Sequence, residues 1–162
     1  MGFLNRFTQP KAEIDLKITS VDLNENKITG CVSLSCTEAF KLDDVRLEAQ
    51  VSEIHTQTNV GLTGIKVNQH RDVYLDQKFP LSGVIEGSAG YKGEFPFEIV
   101  IPVPVSKHGN KVDFKLKAVA NIKGRPDITT KEIDPFHDAI IADTKNRQEK
   151  MKNYFKNVKP IS

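Results

Sequence analysis

Tyr91-Lys92-Gly93-Glu94-Phe95-Pro96-Phe97-Glu98-Ile99-Val100-Ile101 and, ten residues further on, Val112-Asp113-Phe114-Lys115-Leu116-Lys117-Ala118-Val119-Ala120-Asn121-Ile122 share one pattern. In the first, Phe95, Phe97, Ile99 and Ile101 recur at every second position; in the second, Val112, Phe114, Leu116, Ala118, Ala120 and Ile122 do. A period of two places all these side chains on one face of an extended strand. The polar stretch Ser106-Lys107-His108-Gly109-Asn110-Lys111 between them carries a Gly and an Asn that tolerate positive φ, so an antiparallel hairpin is expected here.

The same alternation extends outward from this stretch. Strands are expected at Glu13–Val21, Lys27–Ser35, Asp44–Ile54, Asn59–Val67, Arg71–Phe79, Lys92–Pro102, Lys111–Ile122 and Asp127–Ile133. Turn chemistry separates them, as in Asp22-Leu23-Asn24-Glu25-Asn26 and the glycine-bearing segment Gly83 to Gly90. Short strands at this spacing with no helix between them predict a mainly β, antiparallel sandwich of immunoglobulin-like type. Pro102 and Pro104 limit ladder pairing beyond the sixth strand.

After Ile133 the pattern changes to one of helix. Asp134-Pro135 reads as N-cap and first helical residue, and no Gly or Pro follows until Pro160. Residues 1–134 therefore form the sandwich domain and 135–162 a C-terminal amphipathic helix and tail. The helix carries two apolar clusters, Phe136/Ala139/Ile140 and Met151/Tyr154/Phe155/Val158. Formal net charge is +2 for the 162 residues, yet residues 135–162 hold six Lys/Arg against three acids, leaving the sandwich slightly acidic. Lys145, Arg147, Lys150, Lys152, Tyr154, Phe155 and Lys156 are accordingly the candidate partner-binding residues, on a basic helix with exposed aromatics.

The chain offers little that resembles catalysis. His55, His70, His108 and His137 have no metal-ligand spacing, and no Cys-x-x-Cys, His-Glu-x-x-His or acidic calcium loop occurs, so no metal site and no cofactor are expected; a metal site would need assembly from distant strands. His137 and Asp138, adjacent in a helical first turn, point about 100° apart and read as surface residues. Gly83 to Gly90 lacks the Gly-Lys-Ser/Thr ending or following helix of a phosphate loop. Cys31 and Cys36 lie five residues apart in one strand. They fall on opposite faces, roughly 16 Å apart, and are expected as free thiols. Free thiols, and the want of a long apolar run, point to the cytoplasm. Arg6 stands where an N-myristoylation signal has Ser or Thr.

Gly93-Glu94-Phe95-Pro96-Phe97-Glu98-Ile99-Val100-Ile101-Pro102 followed by Lys111-Val112-Asp113-Phe114-Lys115-Leu116-Lys117-Ala118 resembles the strand pair of arrestin-like domains, and Ile28-Thr29-Gly30-Cys31-Val32 resembles their second strand. That family includes arrestins, the retromer subunit of arrestin-like fold and prokaryotic sporulation-control proteins. The resemblance spans about residues 10–134 and implies one arrestin-like domain, about half of a two-domain arrestin, with an added helix. Lys11 and Lys17 stand alone, so the paired lysines by which animal arrestins sense receptor phosphate have no match. The compact single domain is most similar to the prokaryotic relatives.

The resulting expectation is a non-enzymatic adaptor that binds protein partners, or a second copy of itself, through loops, a sheet edge and the C-terminal helix. The alternative is a peripheral membrane protein docking on anionic lipid through the basic helix and Phe3, Leu4 and Phe7. No basic-aromatic platform indicates a nucleic acid partner.

Overall fold

Ile28, Val32, Leu34 and Cys36 alternate with half-exposed neighbours along Lys27–Cys36, and all four are at most 3% exposed. This inward-facing row belongs to a three-stranded sheet, in a computed structural model that describes residues 12–102 and 108–157. The strands are β1 (Ala12–Asp22), β2 (Lys27–Cys36), β3 (Phe40–Gly61), β4 (Gly64–Ser82), β5 (Ile85–Gly87), β6 (Tyr91–Val100), β7 (Val112–Ile122) and β8 (Ile128–Thr129), followed by the helix α1 (Pro135–Asn157). The first sheet has the order β1-β2-β6; the second has the order β4-β3-β7-β8, with β5 also paired to β3, and every ladder is antiparallel.

The core lies between the two sheets. Ile28, Val32, Leu34, Phe97 and Ile99 from one side share a cluster with Val45, Leu47, Val51, Phe114, Leu116 and Ile122 from the other. Each sheet is apolar on one face only, which is the layer rule that makes a sandwich from alternating strands. The outer face of the second sheet is polar: Arg46 spans Asp44, Glu48 and Asp127 at 3.1, 3.1 and 3.5 Å.

The two alternating runs, 91–101 and 112–122, are not a hairpin. β6 pairs with β2, Phe97 opposite Gly30, and β7 pairs with β3, Leu116 opposite Ala49. Their apolar faces meet across the core from different sheets, because Pro102 has no N–H to continue the β6 ladder and the chain crosses over. Alternation reports one buried face per strand and carries no information about which neighbour is hydrogen-bonded.

Two other boundaries differ. The strands expected at Asp44–Ile54, Asn59–Val67 and Arg71–Phe79 are two long strands, β3 and β4, joined at Leu62-Thr63 between the paired Gly61 and Gly64. Gly64 has φ +136°, a conformation costly for any residue with a Cβ. The polar stretches that looked like breaks pair as strand, since a ribbon wetted on both sides needs no apolar row. Gly83 to Gly90, expected as loop, contains the short β5 opposite Phe40–Leu42.

Gly30 is set by close approach. A Cβ there would lie 2.4 Å from the Lys17 carbonyl oxygen and 2.7 Å from Phe97 Cζ, so the Phe97 ring sits where a side chain would be. Gly30→Val is expected to destabilise the fold by about 1–3 kcal/mol through overpacking, read as a lower urea midpoint with the m-value retained. The two thiols are free, with Cys31 half-buried and Cys36 in the core, where burial pushes the Cys36 thiol up from its ordinary value. A thiol reagent at mild alkaline pH should modify Cys31 in the native protein and Cys36 only on unfolding; equal rates for both would contradict the placement.

Candidate functional site at the hairpin end of the sandwich

The pairing of β3 with β7 ends at Glu53 opposite Val112, but β3 and β4 continue together from Ile54 opposite Arg71 to Gly61 opposite Gly64. Eight cross-strand pairs thus project beyond the sheet as a two-stranded ribbon, about 25 Å long at ~3.4 Å per residue. The pleat is used in opposite senses along β3. Within the sandwich the odd positions Val45, Leu47 and Val51 are apolar and buried; on the ribbon the even face carries the apolar side chains. Val60 pairs with Ile65 on that face and Val67 lies beside them, and these three with Leu62 at the turn are 63% to 110% exposed.

On the opposite face, at the ribbon's base, lies a polar cluster. Glu53 is fully buried. Its carboxylate accepts hydrogen bonds from the Tyr74 hydroxyl and, at 2.9 Å, from the backbone N–H of Asn110. The second bond ties the turn at Gly109, φ +73°, to β3 and brings His108 over the ribbon. His108 Nε2 is 2.8 Å from Asp72 Oδ2, and His55 Nδ1 is 3.4 Å from the same oxygen. The His55 ring stacks on His108 at 3.8 Å and 17°, and the His70 ring lies 5.6 Å from it at 26°.

The four histidines have no metal-ligand spacing in the sequence, and three of them are brought together here from distant strands. The signal that would have found two of them is the Gly61-Leu62-Thr63-Gly64 turn: counting back equally along both arms pairs His55 with His70 and Glu53 with Asp72. His108 arrives through tertiary packing and His137 remains apart, exposed on α1.

The helix starts at the same end of the sandwich. Asp134 caps it, its Oδ1 accepting from His137 N at 3.0 Å, with Pro135 in the first turn. Phe136 is 9% exposed and packs its ring on Phe114 at 4.9 Å. Beyond this anchor the helix stands clear of the sandwich: Ile140 is 53% exposed, and every described side chain from Ala142 to Lys156 is exposed. A groove of ≈ 400 Å³ lined by Leu23, Val112, Phe114, Phe136 and Ile140 runs beneath its first turns. Lys145, Arg147, Lys150, Lys152, Tyr154, Phe155 and Lys156 all lie on the free part, with the Tyr154 and Phe155 rings 5.7 Å apart edge to face. Arg147 pairs with Asp143 one turn earlier at 3.2 Å. Phe3, Leu4 and Phe7, with Val158 and Lys159, lie outside the described residues.

No family model and no curated protein matches the sequence. Among solved structures, the chain is similar to the sporulation control protein Spo0M from Bacillus subtilis, with a TM-score of 0.56 and 16% identity, over 77% of this chain and 49% of that one. It thus spans about half the length of that protein. A second similarity, to an inactive mutant of a GH20 exo-β-N-acetylglucosaminidase from Vibrio harveyi, has a TM-score of 0.25 and 10% identity, over 77% of this chain and 18% of that one. The first likeness bears out the arrestin-like sandwich expected from the strand motifs.

Phe136 is the main apolar tie between α1 and the sandwich. Phe136→Ala should speed amide exchange across residues 137–144 by roughly tenfold or more, the factor for ~1.4 kcal/mol of lost docking. Protection in β2, β3 and β7 should be unchanged.

Proposed function

We propose that this chain is a non-enzymatic adaptor, a single arrestin-like domain that binds a protein partner through the β3–β4 ribbon and the free part of α1. The observation that carries this is the exposure of Val60, Leu62, Ile65 and Val67 on one end of a ribbon that projects past its sheet. A two-stranded ribbon is marginal in water on its own, and an apolar ribbon face gains stability when a partner covers it. Its free edges also offer backbone groups for strand addition. At the ribbon's base the imidazoles of His55 and His108 stack on one another and share the Asp72 carboxylate. The arrestin-like fold supports the scaffold alone, since fold does not determine function.

Membrane docking is the second reading, and one observation favours it. Met151, Tyr154 and Phe155, at helical spacing, are 58%, 67% and 65% exposed and flanked by Lys150, Lys152 and Lys156.

Binding is tested by quantitative affinity capture with the full chain, a ribbon variant Val60→Lys/Ile65→Lys and a helix variant Tyr154→Ala/Phe155→Ala, each checked by circular dichroism. The adaptor reading expects a partner retained by the wild type and lost, by about tenfold or more, from the folded ribbon variant. Equal recovery by the wild type and both variants would exclude these surfaces. Flotation on phosphatidylserine vesicles at low salt, sensitive to the helix variant but not the ribbon variant, would instead establish the membrane reading.

A further inference from the structure

We propose that His55, Asp72 and His108 form a binding site for a divalent transition-metal ion of the zinc class. The three residues come from β3, β4 and the turn before β7, and one ligand atom from each lies within 4.8 Å of the other two. Two imidazole nitrogens and a carboxylate oxygen are a borderline donor set, matched to Zn²⁺ and its neighbours; Ca²⁺ and Mg²⁺ require oxygen ligands.

Three features beyond proximity support the site. First, His55 Nδ1 is buried and has no hydrogen-bond partner, although Asp72 Oδ2 is only 3.4 Å away. A buried polar atom is ordinarily satisfied. Two donors each ~2.05 Å from one ion in tetrahedral geometry lie about 3.3–3.4 Å apart, so this pair already has the spacing of two ligands on a shared centre. Second, both imidazoles reach the same Asp72 oxygen; their stack has to open as an ion enters, because each ring nitrogen's lone pair lies in its own ring plane. His108 is hydrogen-bonded to that oxygen at 2.8 Å and is the exposed member of the three, so it has room to withdraw by about half an ångström as an ion enters. Third, the His108 turn is already held in place, because the buried Glu53 carboxylate accepts from Asn110 N two residues on. Water completes the coordination, since His70 is outside the group of converging donors.

An ion here would staple the base of the ribbon to the β6–β7 connection, fixing the direction in which the apolar ribbon face is presented. The site stands independently of what that face binds.

The test is calorimetric titration of chelator-stripped full-length protein with zinc chloride, with Co²⁺ absorption as a second probe. The expected result is one ion per chain, a higher Tm with zinc, and visible Co²⁺ bands. Affinity should fall by about tenfold or more in Asp72→Asn and His108→Ala, both outside the core. His137→Ala should bind as the wild type does. In the unaltered protein, zinc should shift the ring resonances of His55 and His108 and leave those of His137 in place, which keeps the test valid should a variant not fold. No stoichiometric binding at 100 micromolar zinc (about the weakest affinity of interest for such a site), binding that survives both substitutions, or resonance shifts confined to other residues would overturn the proposal.

Discussion

Ile28, Val32 and Leu34 on one sheet and Leu47, Val51 and Leu116 on the other form a single apolar slab, and nearly every other feature is placed by where that slab begins and ends. Strands β2, β3, β6 and β7 each carry one apolar face, and only apposition of two sheets removes these faces from water together. Burial of a Leu or Ile side chain contributes about 1.5–3 kcal/mol, so the slab far outweighs the surface ion pairs around Arg46. Those pairs keep the outer face of the second sheet polar.

The end is defined by Glu53. It continues the inward face that carries Val51, but it is a carboxylate with no exposure, and a buried charge is tolerated only when it is hydrogen-bonded on several sides. Tyr74 supplies one such bond from an irregularity in the β3–β4 register and Asn110 another from the turn before β7. Meeting the demand of one carboxylate therefore joins three chain segments. The convergence of His55, Asp72 and His108 is a by-product of the same closure.

The ribbon and the helix depart from the sandwich at this same end. Both present apolar side chains to water, Val60, Ile65 and Val67 on one and Met151, Tyr154 and Phe155 on the other. Exposed single apolar residues are common on proteins, but contiguous rows on projecting elements are the usual mark of an interaction surface. The anchoring of α1 through its first turns, chiefly Phe136, leaves its basic length exposed.

The core strands, the sandwich class, the free thiols and the helix with its Asp134-Pro135 start were legible in the chain, because burial periodicity and capping are local properties of neighbouring residues. The helix-borne Lys145, Arg147, Lys150, Lys152, Tyr154, Phe155 and Lys156 were legible as an exposed group for the same reason. What only the tertiary structure decided was partnership: that β6 pairs with β2 and β7 with β3, that Asn59–Val67 folds back on itself at Gly61 and Gly64, and that His108 reaches the ribbon. Alternation tells a strand which face to bury, but hydrogen-bond partners and side chains distant in sequence are selected by the packing of whole sheets, which no local window contains.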